Sequence, residues 1–216
     1  LASLSFSAEI KAGNSFEAIQ KALNKAKSGD TIYIRPGIYK STRPLEISGK
    51  KNITITSKGI AKLINTDTIS HVITIDASSH VTLKNIHATH IPAAEGCAGD
   101  VILITRSKNI KISNCDINGC GVVGIEALNS KNVTVTNNVI HNNSYVGICL
   151  IWSNNAVIKN NRIINNKRRR VEFHNSKSIT LEANVFRNNK NENIFIRKST
   201  FLKLRGNTPG DTNYQR

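Results

Sequence analysis

Apolar residues two positions apart recur along most of the chain: Ile53/Ile55, Val81/Leu83, Ile110/Ile112, Val133/Val135, Ala156/Ile158, Ile179/Leu181 and Leu202/Leu204. Each pair reads as the inward half of a short strand, because side chains alternate between the two faces. The pairs step by 28, then 29, then 23 residues four times over. Ser107, Ser130, Ser153, Ser176 and Ser199 keep the same 23-residue interval. A fixed period in the twenties predicts a solenoid of stacked coils. Residues one period apart are then neighbours, so sequence columns become surface ladders. The two longer steps imply insertions, the clearest being HIPAAEGCAGD at 90–100, expected to leave the solenoid as a loop.

The turns between strands are marked by asparagine. Asn85, Asn114, Asn137 and Asn160 share one column, and Asn138, Asn161, Asn184 and Asn207 the next. Asparagine tolerates the left-handed backbone of a tight bend. Its amide can also bond to the asparagine one coil away. A second turn holds Asn142/Asn143, Asn165/Asn166 and Asn188/Asn189. With strands stacked at about 4.8 Å, seven coils predict a rod of roughly 30–35 Å.

Residues 14–29, NSFEAIQKALNKAKSG, carry Phe16, Ile19, Leu23 and Ala26 at helical spacing. Asn14 with Glu17 suggests a capping box, and Gly29 a stop. This helix would cover one end of the core. The expected organisation is one domain: a cap over about 1–48, coils over about 49–207 and a tail at 208–216. The last coil is only begun, so the tail would cover the open end, with Tyr214 as its sizeable apolar group. The alternatives are a longer chain or end-to-end self-association.

These features carry a resemblance. The segment FEAIQKALNKAKSGDTIYIRPGIY is similar to the amino-terminal cap of many right-handed parallel β-helix proteins of the pectin-lyase-like superfamily. NVTVTNN and NGCGVVGIEALNS resemble that group's generic repeat. The resemblance covers residues 14 to about 207 and implies an all-β, single-stranded right-handed parallel β-helix with a short N-terminal capping α-helix. It also implies a range of activities: polysaccharide lyases, glycoside hydrolases, uronate epimerases and phage adhesins, and members without catalysis. The recognised catalytic patterns are missing. Asn65-Thr66-Asp67 matches only the first tripeptide of the polygalacturonase-like set. The aspartate cluster and R-x-P-x-x-R context of calcium-dependent pectate lyases are lacking, as is the alginate-epimerase pattern. No cofactor and no metal site is expected.

The chain carries 30 Lys+Arg against 14 Asp+Glu, a net charge of +16, which favours polyanionic partners. Aromatics are scarce at 5%, so stacking platforms for bases are few, and an acidic polysaccharide is preferred over nucleic acid. No apolar run is long enough to span a membrane. The start, LASLSFSAEIKAG, leaves room for the end of a secretory signal, although Phe6 sits poorly two positions before Ala8. A secreted or periplasmic location suits this reading. Cys97, Cys115, Cys120 and Cys149 form no C-x-x-C pair. Free thiols are the favoured state, with Cys97–Cys115 or Cys97–Cys120 bridges as alternatives.

The strand before each serine gives the candidate site. Ile125, Ile148, Val171 and Ile194 should point inward, as should Ala127, Leu150, Phe173 and Ile196. The residues between them then face out: Leu103, Glu126, Cys149, Glu172 and Phe195, followed by Thr105, Leu128, Ile151, His174 and Arg197. Arg106, Trp152 and Lys198 flank this face. Glu126 and Glu172, two coils apart, would be roughly 9–10 Å from each other. That is near the upper end for inverting glycoside hydrolysis. Glu172 could orient His174 for base work. Lys167-Arg168-Arg169-Arg170 leads into that strand, and guanidinium groups suit carboxylate or sulfate. A lyase would need a cation to neutralise a uronate, and Arg170 or Arg197 would serve.

The candidate catalytic residues are thus Glu126, Glu172 and His174. The candidate binding residues are Arg106, Trp152, Arg168, Arg169, Arg170, Arg197 and Lys198. The same face also fits a plain surface ion pair covered by the 90–100 loop or another chain. The expected function is binding of an acidic extracellular polysaccharide with weak cleavage. The rival is a structural or adhesive solenoid without a small-ligand site.

Overall fold

The computed structural model describes residues 11, 13–91, 97–191 and 194–208, with the backbone alone at 9–10 and 214–215. They form an all-β parallel solenoid of about seven turns with one short helix near the N-terminus. A representative coil has three strands, Lys108–Ser113, Asp116–Asn118 and Val123–Leu128. Strands at the first two positions join into one sheet of 14, and those at the third into a second sheet of 8. The pairing is in register at the sequence period: Ile125 lies opposite Ile148 and Glu126 opposite Cys149.

The inward columns are as the alternation dictates. Ile125, Ile148, Val171 and Ile194 are fully buried, as are Ala127, Leu150 and Phe173. The polar ladders close the corners. Ser107, Ser130, Ser153 and Ser176 each donate a backbone N–H to the serine Oγ one coil on, at 3.0–3.2 Å. Asn138, Asn161 and Asn184 each donate Nδ2 to the next Oδ1 at 2.9–3.0 Å. Asn143 and Asn166 do the same in the second turn. Asn85, Asn114, Asn137 and Asn160 adopt φ of 53–58°, the left-handed bend their side chain tolerates.

The helix spans Phe16–Lys25 and buries Phe16, Ile19 and Leu23. Its cap lies one residue later than the capping-box reading placed it: Ser15 Oγ accepts the Ala18 N–H. It stops at Ala26 rather than Gly29, with the Ala26 N–H held by Ala22 and Leu23.

The register locates the large insertion. Thr89 pairs with Asn118, 29 residues on, whereas Ile102 pairs with Ile125, 23 on. The extra residues fall between them, and 92–96 lie outside the described residues. The insertion's far end returns to the solenoid, where Gly99 and Asp100 are buried. At the C-terminal side, Tyr214 and Gln215 pair in parallel with Ile194 and Phe195 and extend the second sheet. The plugging role assigned to the Tyr214 side chain lies outside the described residues, as does the signal-like start at 1–8.

The cysteine expectation needs correction. Cys97 and Cys120, one period apart, form a disulfide beside the insertion. Cys115 and Cys149 are free and buried. The stacking of coils brings Cys97 and Cys120 together, although nothing in their local sequence marks them as a pair.

Candidate functional site

The outer face of the second sheet carries three columns of side chains. Leu103, Glu126, Cys149, Glu172 and Phe195 are in register on successive coils. So are Thr105, Leu128, Ile151, His174 and Arg197. A third column runs through the first residues of these strands, Val123, Val146 and Arg169. By the register of the strands that follow them, His71 and Asp100 continue it. Val123, Val146 and Cys149 pack into a small apolar cluster separate from the main core.

At one end Glu172 is clamped. Arg169 Nη1 donates to Oε1 at 2.6 Å, and His174 Nε2 lies 3.0 Å from Oε2. Arg169 also stacks on Phe195 at 4.3 Å, and the His174 ring packs against Phe195 at 5.4 Å. Glu172 shares the outward face with His174, as alternation requires. It is not exposed as expected, however: only 5% of it reaches solvent. A buried carboxylate is tolerable here because both its oxygens are engaged by cationic or N–H donors.

At the other end Asp100 and Glu126, on neighbouring coils, are joined by a side-chain hydrogen bond. Two carboxyl groups can share such a bond only if one holds a proton. Burial, then the Glu126 charge, then that hydrogen bond push Asp100 up to about 8. The Val123 N–H donates to Asp100 Oδ1 at 3.2 Å. The Asp100 N–H donates to His71 Nδ1 at 2.9 Å, so the neutral His71 ring carries its proton on Nε2. Burial lowers His71 below the usual histidine value, and the Glu126 charge opposes that shift. Between the two ends sits Cys149. Burial, then Glu126, Glu172 and Asp100, push its thiol upward, so it stays protonated.

The cationic residues are distributed differently from the sequence expectation. Arg170 is not on the surface: it is fully buried and stacks on Phe186 at 4.6 Å. The strand Arg169–His174 begins just before it, and Arg170 takes the inward position held by Gly124 and Gly147 in other coils. Arg168 is exposed and stacks on Tyr145 at 4.3 Å. Arg197 and Lys198 are exposed toward the C-terminal end of this face. Arg106, toward its N-terminal end, makes a two-bond pair with Asp76, at 3.0 and 2.6 Å. Trp152, on a coil between them, stands 58% exposed. Arg106, Trp152 and Lys198 all adopt φ near 50°, where their columnar neighbours Asn129 and Asn175 are comfortable and bulky residues are strained.

Sequence reasoning missed Asp100 and His71. Aligning backwards from Ile102 would have placed Asp100 in the Val123/Arg169 column, but it was assigned to the departing loop. It also missed a cluster on the first sheet, where His141 Nε2 lies 3.0 Å and His87 Nε2 3.8 Å from Asp116 Oδ1. The Asn65-Thr66-Asp67 tripeptide is a turn: Asn65 is buried, its Oδ1 accepts the Asp67 N–H, and its Nδ2 donates to the His71 carbonyl.

Residues 71–212 match the model of the right handed beta helix region. The chain belongs to that family. Among curated proteins no sequence matches it. Solved structures are similar at the level of fold. An alginate lyase from Paenibacillus sp. str. FPU-7 superposes with a TM-score of 0.62 at 16% identity, covering 96% of this chain and 98% of that one. Pectate lyase Pel9A gives 0.66 at 14% identity, covering 90% and 63%. PfbA, a surface adhesin of Streptococcus pneumoniae, gives 0.57 at 16% identity, covering 84% and 60%. Among the described residues no helix is long and apolar enough to cross a membrane.

Proposed function

We propose that this face binds an acidic polysaccharide and cuts it slowly by acid–base chemistry. The observation that carries this reading is the separation of two carboxyl environments along one sheet face. The Asp100–Glu126 pair keeps a proton at neutral pH. Glu172 is held between Arg169 and His174. A carboxyl group that keeps its proton can act as an acid, and an imidazole beside a carboxylate as a base. In inverting hydrolysis of a glycosidic bond, the imidazole of His174 takes a proton from the water that attacks the anomeric carbon. The Asp100–Glu126 proton goes to the departing glycosidic oxygen. Arg197, Lys198 and Arg168 meet the sugar carboxylates, and Trp152 offers an apolar ring face. The fold likeness to an alginate lyase and a pectate lyase agrees with a polysaccharide partner.

β-Elimination would need base and acid at adjacent carbons of one sugar, closer than groups two or more coils apart stand. Incubation with a panel of uronic-acid polymers separates the outcomes. Unsaturated chain ends indicate elimination, and reducing ends without unsaturation indicate hydrolysis. Retention on the polymers without new ends supports the adhesive alternative, and neither retention nor new ends overturns the polysaccharide reading.

A further inference from the structure

We infer that Cys149, Glu172 and His174 form a site for a divalent metal ion of borderline softness, with zinc the best match. Three ligand atoms, the Cys149 thiol sulfur, a Glu172 oxygen and a His174 ring nitrogen, lie within 4.8 Å of one another. The strand register sets this up. Cys149 is directly opposite Glu172 on the next coil, and Ile151 opposite His174. All three side chains therefore leave the sheet on the same side, on two adjacent rungs. Around a tetrahedral zinc the ligand atoms would stand about 3.3–3.7 Å apart. Small side-chain rotations reach that arrangement from the one present.

The surroundings fit a metal better than they fit a plain ion pair. Arg169 holds Glu172 Oε1, which leaves Oε2 directed at His174. Phe195 packs against the His174 ring and limits its rotation. Such outer partners orient metal ligands and sharpen affinity. Glu126 and Glu172 flank Cys149 on the coils either side of it. In a chain of net charge +16 this is a local concentration of negative groups around a soft donor. A thiolate, an imidazole and a carboxylate are the donor set of zinc and its neighbours. Calcium, by contrast, takes six to eight oxygens. Three protein ligands leave a fourth position for water or a substrate oxygen.

This inference rests on the geometry and not on the polysaccharide reading, and it competes with the base role proposed there for His174, whose ligating ring nitrogen cannot also take a proton. The probe is the metal alone, so each can fail without the other. The 216-residue chain, with its Cys97–Cys120 bridge intact, is titrated with Co²⁺ and then Zn²⁺ in thiol-free buffer. One Co²⁺ per chain is expected, with a thiolate-to-cobalt charge-transfer band in the near ultraviolet that Zn²⁺ abolishes. Cys149→Ser should lose the band, whereas Cys115→Ser, which changes a core thiol, should keep it. His174→Ala removes a partly exposed ring and should lower affinity by at least about tenfold. Melting curves confirm that each variant folds, and His174→Ala decides alone if Cys149→Ser does not. No band in the wild type, a band that survives Cys149→Ser, or affinity unchanged in His174→Ala overturns the site.

Discussion

Asp100 and Glu126 come from different coils and meet carboxyl to carboxyl: burial, then the Glu126 charge, then the hydrogen bond between them push Asp100 up to about 8. An unfolded aspartate ionises near 3.9. Between those values the folded chain binds one more proton than the unfolded chain. Stability therefore falls as pH rises, by at most ~1.4 kcal/mol per unit. His71, His87 and His90 are lowered, chiefly by burial, so their contribution grows with pH. That growth is complete above about 6.5, the unfolded histidine value. The interval from there to about pH 8 isolates the carboxyl pair. The melting temperature should decline across it in the wild type and stay level in Asp100→Asn, which should be the more stable protein at the upper end. A level wild-type profile would contradict the shared proton.

Trp152 has a backbone that suits asparagine. Its φ is 52°, against 50° at Asn129 and 49° at Asn175, and the ring is largely exposed. Trp152→Asn should raise stability by about 1 kcal/mol through relief of left-handed strain. The same change should weaken retention on uronate polymers. Opposite signs in the two measurements mark a residue kept for binding; a loss of stability would instead show that the ring is a packing element.

The asparagine ladder should be the costliest polar feature to interrupt. Asn161 Nδ2 donates to the Val135 carbonyl and to Asn184, while its Oδ1 accepts from the Asn138 N–H and Nδ2. Asn161→Ala leaves several buried groups unpaired and should cost about 3 kcal/mol in denaturant unfolding. Asn160→Ala, at an exposed bend, should cost roughly 1 kcal/mol for its left-handed backbone. Equal losses at both positions would show that the ladder contributes only through its bends.

The solenoid was legible in the sequence because one geometric rule, alternation repeated at a fixed period, sets every rung from Ile53 to Leu204. The outward grouping of Glu126, Glu172 and His174 followed from the same rule. What the rule could not show was depth. Glu172 sits on the predicted face, yet Arg169 and Phe195 enclose it, and both contacts depend on side-chain reach rather than register. Arg170 was misplaced because a charge run reads as a solvated bend, whereas the strand already begins at Arg169 and turns the next residue inward. Asp100 was missed because the whole 90–100 stretch was assigned to the departing loop, although from Cys97 onward the 23-residue interval is already restored, as the Cys97–Cys120 pair left open in the sequence shows.

The central claim is that this face of the second sheet moves protons for polysaccharide cleavage. The most direct measurement is the rate of new chain-end formation on a uronate polymer as a function of pH, for the wild type and for Asp100→Asn. The wild-type rate should fall on the alkaline side near pH 8, where the carboxyl pair gives up its proton. Asp100→Asn should lose at least about a hundredfold while still binding the polymer. A wild-type rate unchanged through pH 8, or an Asp100→Asn rate equal to wild type, would contradict the account.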